Sequence, residues 1–289
     1  MGKESDTFRL RRLGLHDVSK AILLSDNESW NQTEHDWAFL IENLENLCLG
    51  VFDNDRLIGT ATALNYDYVT WIGMVLVDKN YRGRGISKTL LSNIIKGIKP
   101  SQSIKLDATP AGQKVYAKFG FQEEYEILRM TATCASSKTL NSPDNENIRL
   151  ITYKDIANIS AYDKTAFGAN RKELIAFLFS NNRKKSFVVE KNGKIEGFIL
   201  GRSGSKYYHM GPLMASSPEI GEVLILKALN ELESQPVLLD IVADKKDQIS
   251  FLKGIGFSKK RHFIRMYQKE NPASGLLGTQ YLIAGPEYG

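Results

Sequence analysis

The stretch that decides the fold is Val75-Leu76-Val77-Asp78-Lys79-Asn80-Tyr81-Arg82-Gly83-Arg84-Gly85-Ile86-Ser87. The apolar, β-rich run from Trp71 to Val77 predicts a buried strand. Arg82-Gly83-Arg84-Gly85 predicts a tight loop, because glycine adopts backbone angles that other residues avoid. Apolar residues on one face then predict a helix: Ile86, Leu90, Leu91, Ile94, Ile95 and Ile98. Such a loop presents unpaired N–H groups at a positive helix end, which suits an anion, most often a phosphate.

The composition is that of an ordinary globular protein. A length of 289 residues is typical of two domains. The hydrophobic content of 42% and the charged content of 25% leave ample core for each half. The net charge of +5 is spread along the chain. It is compatible with a phosphorylated ligand but does not by itself argue for nucleic acid.

Several classes of site and location are predicted to be absent. Two cysteines, Cys48 and Cys134, argue against a disulfide framework and favour a reducing, cytoplasmic setting. The polar N-terminus has no signal-peptide core, and no apolar run approaches the roughly 20 residues that span a bilayer. Four histidines without ligand spacing predict no metal site. No basic cluster is interleaved with aromatic residues, so nucleic acid binding is not predicted.

The predicted elements run twice in the same order. Each pass reads as strand, two helices, a hairpin, strand, helix, strand, helix and strand, over about residues 7–132 and again over 148–268. Residues 135–146 are polar and poor in large apolar side chains, which predicts a linker. The tail 271–289 carries Tyr281-Leu282-Ile283. It is predicted either to add a last strand or to pack over the domain junction.

The repeat is also visible in individual residues. Each half contains, in the same order, a Leu-Asp pair, a Gly-Phe pair and an Arg-Met pair. The first set is Leu106-Asp107, Gly120-Phe121 and Arg129-Met130, and the second is Leu239-Asp240, Gly256-Phe257 and Arg265-Met266. Three matches in order predict a tandem duplication. The fold class is therefore α/β, with two domains in tandem.

The first half resembles the GNAT acetyltransferase superfamily. Its motif, Gln/Arg-x-x-Gly-x-Gly/Ala after a strand, is matched by Arg82 to Ser87, with a small serine at the sixth position. The stretches from Leu106 to Gly112 and from Tyr116 to Phe121 are similar to a second block of these enzymes. The match covers about residues 7–132. The second half resembles the superfamily in the order of its elements only, which is typical of tandem proteins with an intact N-terminal domain and a divergent C-terminal one. The resemblance implies that each domain contains a mixed, mostly antiparallel sheet flanked by helices.

The resemblance implies acetyl-CoA as co-substrate and places its site. Backbone N–H groups from Arg82 to Ser87, including Gly83, Gly85 and Ile86, would hold the pyrophosphate, and Arg82 and Arg84 would add charge. In the superfamily the preceding strand is splayed from its neighbour. The backbone of Val75, Leu76 and Val77 would then pair with the amides of the pantetheine arm, as an added strand does. A tight turn with solvated arginines is the alternative.

Tyr116 is the predicted general acid. It lies four residues before Gly120, where the superfamily often places a tyrosine that protonates the leaving thiolate. A half-buried tyrosine on a helix face is the structural alternative.

The general base is not evident from the sequence. Gly73 to Leu76 contains no glutamate, although many relatives carry one there. Asp107 at a strand end is a possible base, and the other candidates are Glu28, His35 and Asp36. A structural role is the alternative for each, and the superfamily also uses water relays. Trp30 and Trp37 lie where the first two helices often line the acceptor pocket, with core packing as the alternative.

The second half departs from the motif. Ser216 to Gly221 contains no Arg-x-x-Gly-x-Gly, and Leu252 stands at the position that corresponds to Tyr116. This half is expected to keep the fold without binding CoA and to cover the acceptor pocket or hold the pair of domains together. His209 and Asp240 could face that pocket or have structural roles.

The sequence thus predicts three segments and one activity. Residues 1–134 are the catalytic domain, 135–147 the linker and 148–289 the divergent domain. The predicted activity is the transfer of acetyl from acetyl-CoA to a primary amine of a small molecule by direct attack in a ternary complex. The alternatives are an acyl-CoA-binding regulatory protein without turnover and an acyltransferase that uses longer acyl groups. The chain is expected to be a monomer or a homodimer.

Overall fold

The computed structural model describes residues 8–133, 147–232, 235–270 and 275–289. The predicted linker residues 135–146, Cys134 and the first residues of the tail, 271–274, lie outside the described residues. Contacts within the chain define two compact units. The first contains residues 8–65 and 70–102, and the second contains residues 66–69 and the described residues from Ser103 onward.

The first unit is a sheet in the order β1-β2-β3-β4 with three helices. Its elements are β1 (Arg9–Arg12), α1 (Val18–Asn27), α2 (Glu34–Glu42), β2 (Leu47–Asp53), β3 (Arg56–Tyr66), β4 (Val69–Val77) and α3 (Ile86–Gly97). β1 pairs with β2, and β2 with β3, and both pairs are antiparallel. These bounds confirm the predicted strand, loop and helix around the glycine motif.

Helix α3 lies close against β3 because β3 has a glycine at the contact. A Cβ added at Gly59 would lie 2.9 Å from Cγ2 of Ile86 and 3.3 Å from Cδ1 of Leu90. Ile86, Leu90, Leu91 and Ile94 are buried and form the apolar face that the 3.6-residue period predicted. The packing therefore fixes the first turn of α3, and with it the end of the glycine loop.

The second unit carries the remaining elements. They are β5 (Ser103–Ala108), α4 (Pro110–Ala117), β6 (Gln122–Ala132), β7 (Ile148–Leu150), α5 (Ile156–Phe167), α6 (Lys172–Asn181), β8 (Phe187–Lys191), β9 (Lys194–Ser203), β10 (Tyr208–Ala215), α7 (Pro218–Asn230), β11 (Val237–Val242), α8 (Lys246–Gly254), β12 (Ser258–Gln268) and β13 (Gln280–Leu282). The strand order is β5-β12-β6-β11-β13-β10-β9-β8-β7. The mixed α/β class is confirmed.

The two halves of the sequence exchange their last strands. β6, from the first half, pairs with β11 of the second half, and β12, from the second half, pairs with β5 of the first. β6 and β12 also pair with each other. The domain boundaries predicted at 134 and 148 follow the sequence repeat and stay a prediction, whereas the compact units divide between Gln102 and Ser103.

The repeated Asp and Arg residues pair across this exchange. The guanidinium of Arg265 donates from Nε and Nη2 to Oδ1 and Oδ2 of Asp107, at 2.9 and 3.0 Å. Arg129 donates in the same way to Asp240, at 2.8 and 2.6 Å. Each aspartate of the repeat therefore binds the arginine of the other half, and both pairs are buried.

The tail adds the last strand, which was one of the two arrangements left open. β10 and β11 pair in parallel only over Tyr208–Met210 and Val237–Leu239. Beyond these residues β13 lies between them, with Leu282 opposite both Leu213 and Ile241. The N–H of Ile283 also donates to the backbone oxygen of Asp240 at 3.0 Å.

Candidate functional site

Strand β4 changes its geometry just before its last three residues, 75–77, which are the ones predicted to pair with the cofactor. Met74 is buried and has φ of 49°, in the left-handed region that non-glycine residues seldom adopt. Its backbone oxygen accepts a hydrogen bond from Oγ1 of Thr60 at 2.8 Å, which holds the strained backbone in place. After it, Val75 and Val77 are half-buried and Leu76 is buried. The side chains therefore alternate again from this point.

The loop after β4 has the backbone that its glycines predicted. Gly83 and Gly85 have φ of 81° and 82°. A Cβ at either position would meet no atom within 4 Å, so the backbone angle and not a lack of room requires glycine. Gly85 is the N-cap of α3 and no side chain caps the helix. The first N–H groups of α3 thus meet an open, exposed loop, which is the arrangement that binds phosphates.

The two arginines of the loop have different surroundings. Arg82 donates from Nη2 to Oε1 of Glu28 at 2.5 Å and from Nε to the backbone oxygen of Val77 at 3.2 Å. Arg84 lies over the Tyr81 ring, with its Cζ 5.1 Å from the ring centroid. Glu28, one of the candidate bases, is therefore the ion-pair partner of Arg82.

Side chains that the sequence analysis did not single out anchor the start of the loop. Asp78 accepts from the N–H of Asn80 at 2.9 Å and from Nη2 of Arg56 at 2.7 Å. The Tyr81 hydroxyl donates to Oδ2 of Asp53 at 2.7 Å. Asp53 and Arg56 flank the turn of the β2–β3 hairpin. Their sequence pattern indicated a turn and did not indicate that they also bind the loop after β4. This turn therefore fixes the segment that leads into Arg82.

Tyr116 lies in the last turn of α4, in the second unit. The helix begins at Pro110, and the N-cap Thr109 accepts from the N–H of Gly112 at 3.2 Å. The Tyr116 ring packs edge-on against Phe121 with centroids 5.9 Å apart. Burial raises the pKa of the Tyr116 hydroxyl, which has no hydrogen-bond partner among the described residues. The hydroxyl thus stays protonated at neutral pH and has its proton free to donate.

Asp107 is fully occupied by Arg265. Its carboxylate is buried and both oxygens accept from that guanidinium. Burial raises the pKa of Asp107, and the charge of Arg265 acts in the opposite direction. A carboxylate with both oxygens engaged is a poor proton acceptor, so the geometry favours a structural role over that of a base.

The two remaining candidate bases lie on α2. Asp36 accepts from the N–H and Oγ1 of Thr33, at 2.7 and 2.9 Å, and closes the capping box of this helix. His35, beside it, is exposed. The capping role of Asp36 was not part of the prediction, although Thr33 was its visible signal.

The two tryptophans differ in exposure. Trp37 is fully buried, and its Nε1 donates to Oγ of Ser25 at 3.3 Å. Trp30 is half-buried, and its backbone N–H donates to the backbone oxygen of Ser25 at 3.0 Å. Core packing accounts for Trp37, whereas Trp30 keeps an accessible surface.

The second half has no counterpart of the open glycine loop. Ser217 is the N-cap of α7 and accepts from the N–H of Ile220 at 3.4 Å, and Pro218 occupies the first turn. Leu252, at the position of Tyr116, is fully buried. Where β10 and β11 no longer pair, β13 lies between them.

His209 and Asp240 belong to a buried ionic network. Asp240 is held by Arg129, and Nε2 of His209 lies 3.2 Å from Oδ2 of Asp240. Nη2 of Arg202 lies 3.3 Å from Nδ1 of His209 and also donates to Glu287 in the tail. Burial acts to raise the pKa of Asp240, but Arg129 outweighs it, so that pKa lies well below its usual range. Burial lowers the pKa of His209 more than Asp240 raises it.

Among residues 8–133, 147–232, 235–270 and 275–289, no three His, Cys, Asp or Glu side chains are grouped to hold a metal ion. In the same part of the chain, no helix has the length and apolar character needed to cross a bilayer.

Comparison with protein families gives two matches. Residues 15–121 match the Acetyltransferase (GNAT) family, and residues 159–282 match an Acetyltransferase (GNAT) domain. Together these ranges span most of the chain and correspond to its two halves.

Individual relatives match the chain over most of its length. The chain is 26% identical over 288 residues to holothin acyltransferase of Pseudoalteromonas sp. (strain SANK 73390), covering 94% of this chain and 95% of the relative. A crystal structure of a candidate acetyltransferase from Pyrococcus horikoshii superimposes with a TM-score of 0.81 at 22% identity, covering 100% of this chain and 98% of that one. A tandem GNAT protein from the clavulanic acid biosynthesis pathway gives 0.63 at 12% identity, covering 92% and 99%.

The two family matches and the shared fold confirm both the resemblance and the predicted tandem architecture. Members of this superfamily transfer acyl groups and use an acyl-CoA as co-substrate. The chain belongs to the GNAT superfamily, and it is an acyltransferase with two GNAT domains in tandem.

Proposed function

We propose that this protein transfers an acetyl group from acetyl-CoA to a primary amine of a small molecule, by direct attack in a ternary complex. The observation that carries the proposal is the open N-terminus of α3. Two left-handed glycines precede it, no side chain caps it, and the space beside both glycines is empty. A pyrophosphate would accept hydrogen bonds from the N–H groups of residues 83 to 87, and the positive end of the helix dipole would stabilise its charge.

The strand before this loop supports the same ligand. The left-handed Met74 interrupts the regular pleat of β4 just before Val75, Leu76 and Val77. The backbone of these three residues would pair with the two pantetheine amides. Arg84 would add charge beside the phosphates, while Arg82 would do so from its ion pair with Glu28.

Tyr116 would protonate the thiolate of CoA as the C–S bond breaks. The role needs a protonated donor with an unengaged hydroxyl, and burial keeps Tyr116 protonated. The carbonyl carbon of the acetyl group would form its new bond to the amine nitrogen. The proton lost by that nitrogen would leave through water, because Asp107, Glu28 and Asp36 are all engaged with other groups.

We assign cofactor binding to the first domain, residues 1–134, and scaffolding to residues 148–289. The capped N-terminus of α7 and the insertion of β13 support this division. Residues 135–147 would connect the two. If only the first domain binds the cofactor, each chain binds one acetyl-CoA.

The test of the cofactor loop is calorimetric titration of Gly85→Ala with acetyl-CoA. A Cβ at this position would point into the space that the pyrophosphate needs, so we expect affinity to fall at least tenfold. Gly193→Ala is the matched control, because Gly193 also has a left-handed φ, 73°, with empty space around its Cβ. The strain is then about equal, roughly 1 kcal/mol in each variant. Equal acetyl-CoA affinity in both variants would contradict the assignment.

Turnover and acyl length are separate questions. Thiol release over a library of amines distinguishes an acyltransferase of small amines from a protein that only binds acyl-CoA. Competition between acetyl-CoA and longer acyl-CoAs tests the acetyl preference, since the relative from Pseudoalteromonas is named only as an acyltransferase. Thermal-shift screening of amines in the presence of CoA would identify the acceptor.

A further inference from the structure

Strands β6 and β12 form a two-stranded ribbon, and one face of this ribbon carries three arginines. The register places Arg261 opposite Arg129, Phe263 opposite Ile127 and Arg265 opposite Tyr125. Cross-strand partners and residues two apart share a face of a sheet. The six side chains therefore lie together on one side of the second unit.

Two of these arginines are neutralised and one is not. Arg129 is held by Asp240 and Arg265 by Asp107, each through two hydrogen bonds. Within the described part of the chain, the Arg261 guanidinium makes no ion pair and no hydrogen bond. It lies over the Phe263 ring, with its Cζ 5.0 Å from the ring centroid. The half-buried face thus has one uncompensated positive charge.

The position of Arg261 is unfavourable in the protein alone. It stands directly opposite Arg129, and like charges in that arrangement destabilise a sheet. Burial and, after it, the charge of Arg129 lower the pKa of Arg261 to about 10, although Asp240 and Glu287 act in the opposite direction. Both of those carboxylates are already bound by other arginines. A residue that lowers the stability of the free protein and makes no compensating contact is typical of a binding group.

We propose that Arg261 is the anchor of a binding site for a carboxylate of a small organic ligand. A guanidinium offers two parallel N–H groups that match a carboxylate. One free positive charge balances one negative charge, whereas a phosphate dianion would be left with an excess charge near Asp240 and Glu287. In acyl transfer the occupant would be an acceptor amine that also carries a carboxylate. That identification rests on the proposed function, but the binding site itself does not.

The experiment measures carboxylate binding to the full-length protein without acetyl-CoA. Acetate, propionate and benzoate would be titrated at constant ionic strength, with ligand-observed NMR as the readout. Benzamide and inorganic phosphate serve as the neutral and dianionic comparisons. Arg261→Gln removes the proposed anchor, and Lys260→Gln removes the same charge from the neighbouring exposed residue in the β12 bulge.

We expect at least one carboxylate to bind, with benzamide and phosphate at least tenfold weaker. Arg261→Gln should lose at least tenfold in affinity, Arg261→Lys should lose less, and Lys260→Gln should match the unchanged protein. Equal carboxylate affinity in Arg261→Gln, equal binding of benzamide, or no binding of the three carboxylates by the unchanged protein would overturn the proposal.

Thermal unfolding of the same variants provides the second measurement. A binding residue that is unfavourable in the free protein predicts that Arg261→Gln has an unchanged or higher Tm without ligand. A lower Tm would assign Arg261 a structural role and overturn the proposal. Because neither readout depends on catalysis, failure of acetyl-CoA binding would leave this result interpretable.

Discussion

Tyr116 combines a half-buried ring with a hydroxyl that has no hydrogen-bond partner in the part of the chain that the structure describes. We expect Tyr116→Phe to lower kcat at least tenfold while the acetyl-CoA affinity changes little, because only the proton donor is removed. Steady-state kinetics and calorimetric titration measure the two quantities. Since burial raises the pKa of this tyrosine, its deprotonation should not limit the rate below the ordinary tyrosine pKa of about 10.

The control for this variant is Tyr267→Phe. Tyr267 donates to Oε1 of Gln122 at 3.0 Å, on an exposed part of β12. It should leave kcat unchanged. Turnover by Tyr116→Phe that equals that of the unchanged protein would remove Tyr116 from the mechanism.

His209 makes stability depend on pH. Because burial lowers its pKa, the folded protein keeps His209 neutral where the unfolded chain already binds a proton. Its contribution is therefore complete above the unfolded pKa of about 6.5 and is lost as the pH falls below it, at up to about 1.4 kcal/mol per pH unit. Asp240, whose folded pKa is also depressed, adds a loss only below about pH 4.

The measurement is thermal unfolding between pH 7.5 and 5. We expect His209→Gln to flatten the fall of Tm over this range, whereas His35→Gln, at an exposed position, should not. An unchanged pH dependence in His209→Gln would show that another group is responsible.

At the scale of elements, β13 is the strand that completes the sheet of the second half. Leu282 is fully buried and lies opposite residues of both β10 and β11. Leu282→Ala should therefore lower the free energy of unfolding by about 2–5 kcal/mol. Leu276→Ala, in the same tail but half exposed, should change it by less than about 0.5 kcal/mol. Denaturant unfolding compares the two, and a loss below about 1 kcal/mol in Leu282→Ala would mean that β13 contributes little.

Local sequence patterns predicted most helices and strands, but they did not predict which distant strands pair. The period of α3 and the glycines at 83 and 85 act over a few residues, so the sequence contains them directly. The exchange of β6 and β12 joins residues 158 positions apart, and no local signal encodes a partner at that distance. The repeated Asp and Arg residues were visible, but their pairing was not, because either arrangement satisfies the same charges.

At the scale of the whole molecule, the two GNAT domains differ in what their corresponding positions contain. The first has an uncapped helix after a glycine loop, and the second has a capped helix and a strand, β13, between β10 and β11. Calorimetry should therefore find one acetyl-CoA bound per chain. A stoichiometry of two would contradict the assignment of cofactor binding to the first half alone. A Gly85→Ala variant that binds one acetyl-CoA with unchanged affinity would assign the site to the second half.

The exchange of last strands also has a consequence for synthesis on the ribosome. β5 is made early, yet its neighbour β12 emerges about 150 residues later, which at roughly 5–20 residues per second is a delay of about 8–30 seconds. During that interval the edge of β5 is exposed and Asp107 lacks Arg265. The nascent first half is therefore open to edge-to-edge association, and chaperones that shield β edges are expected to raise the yield of the folded protein.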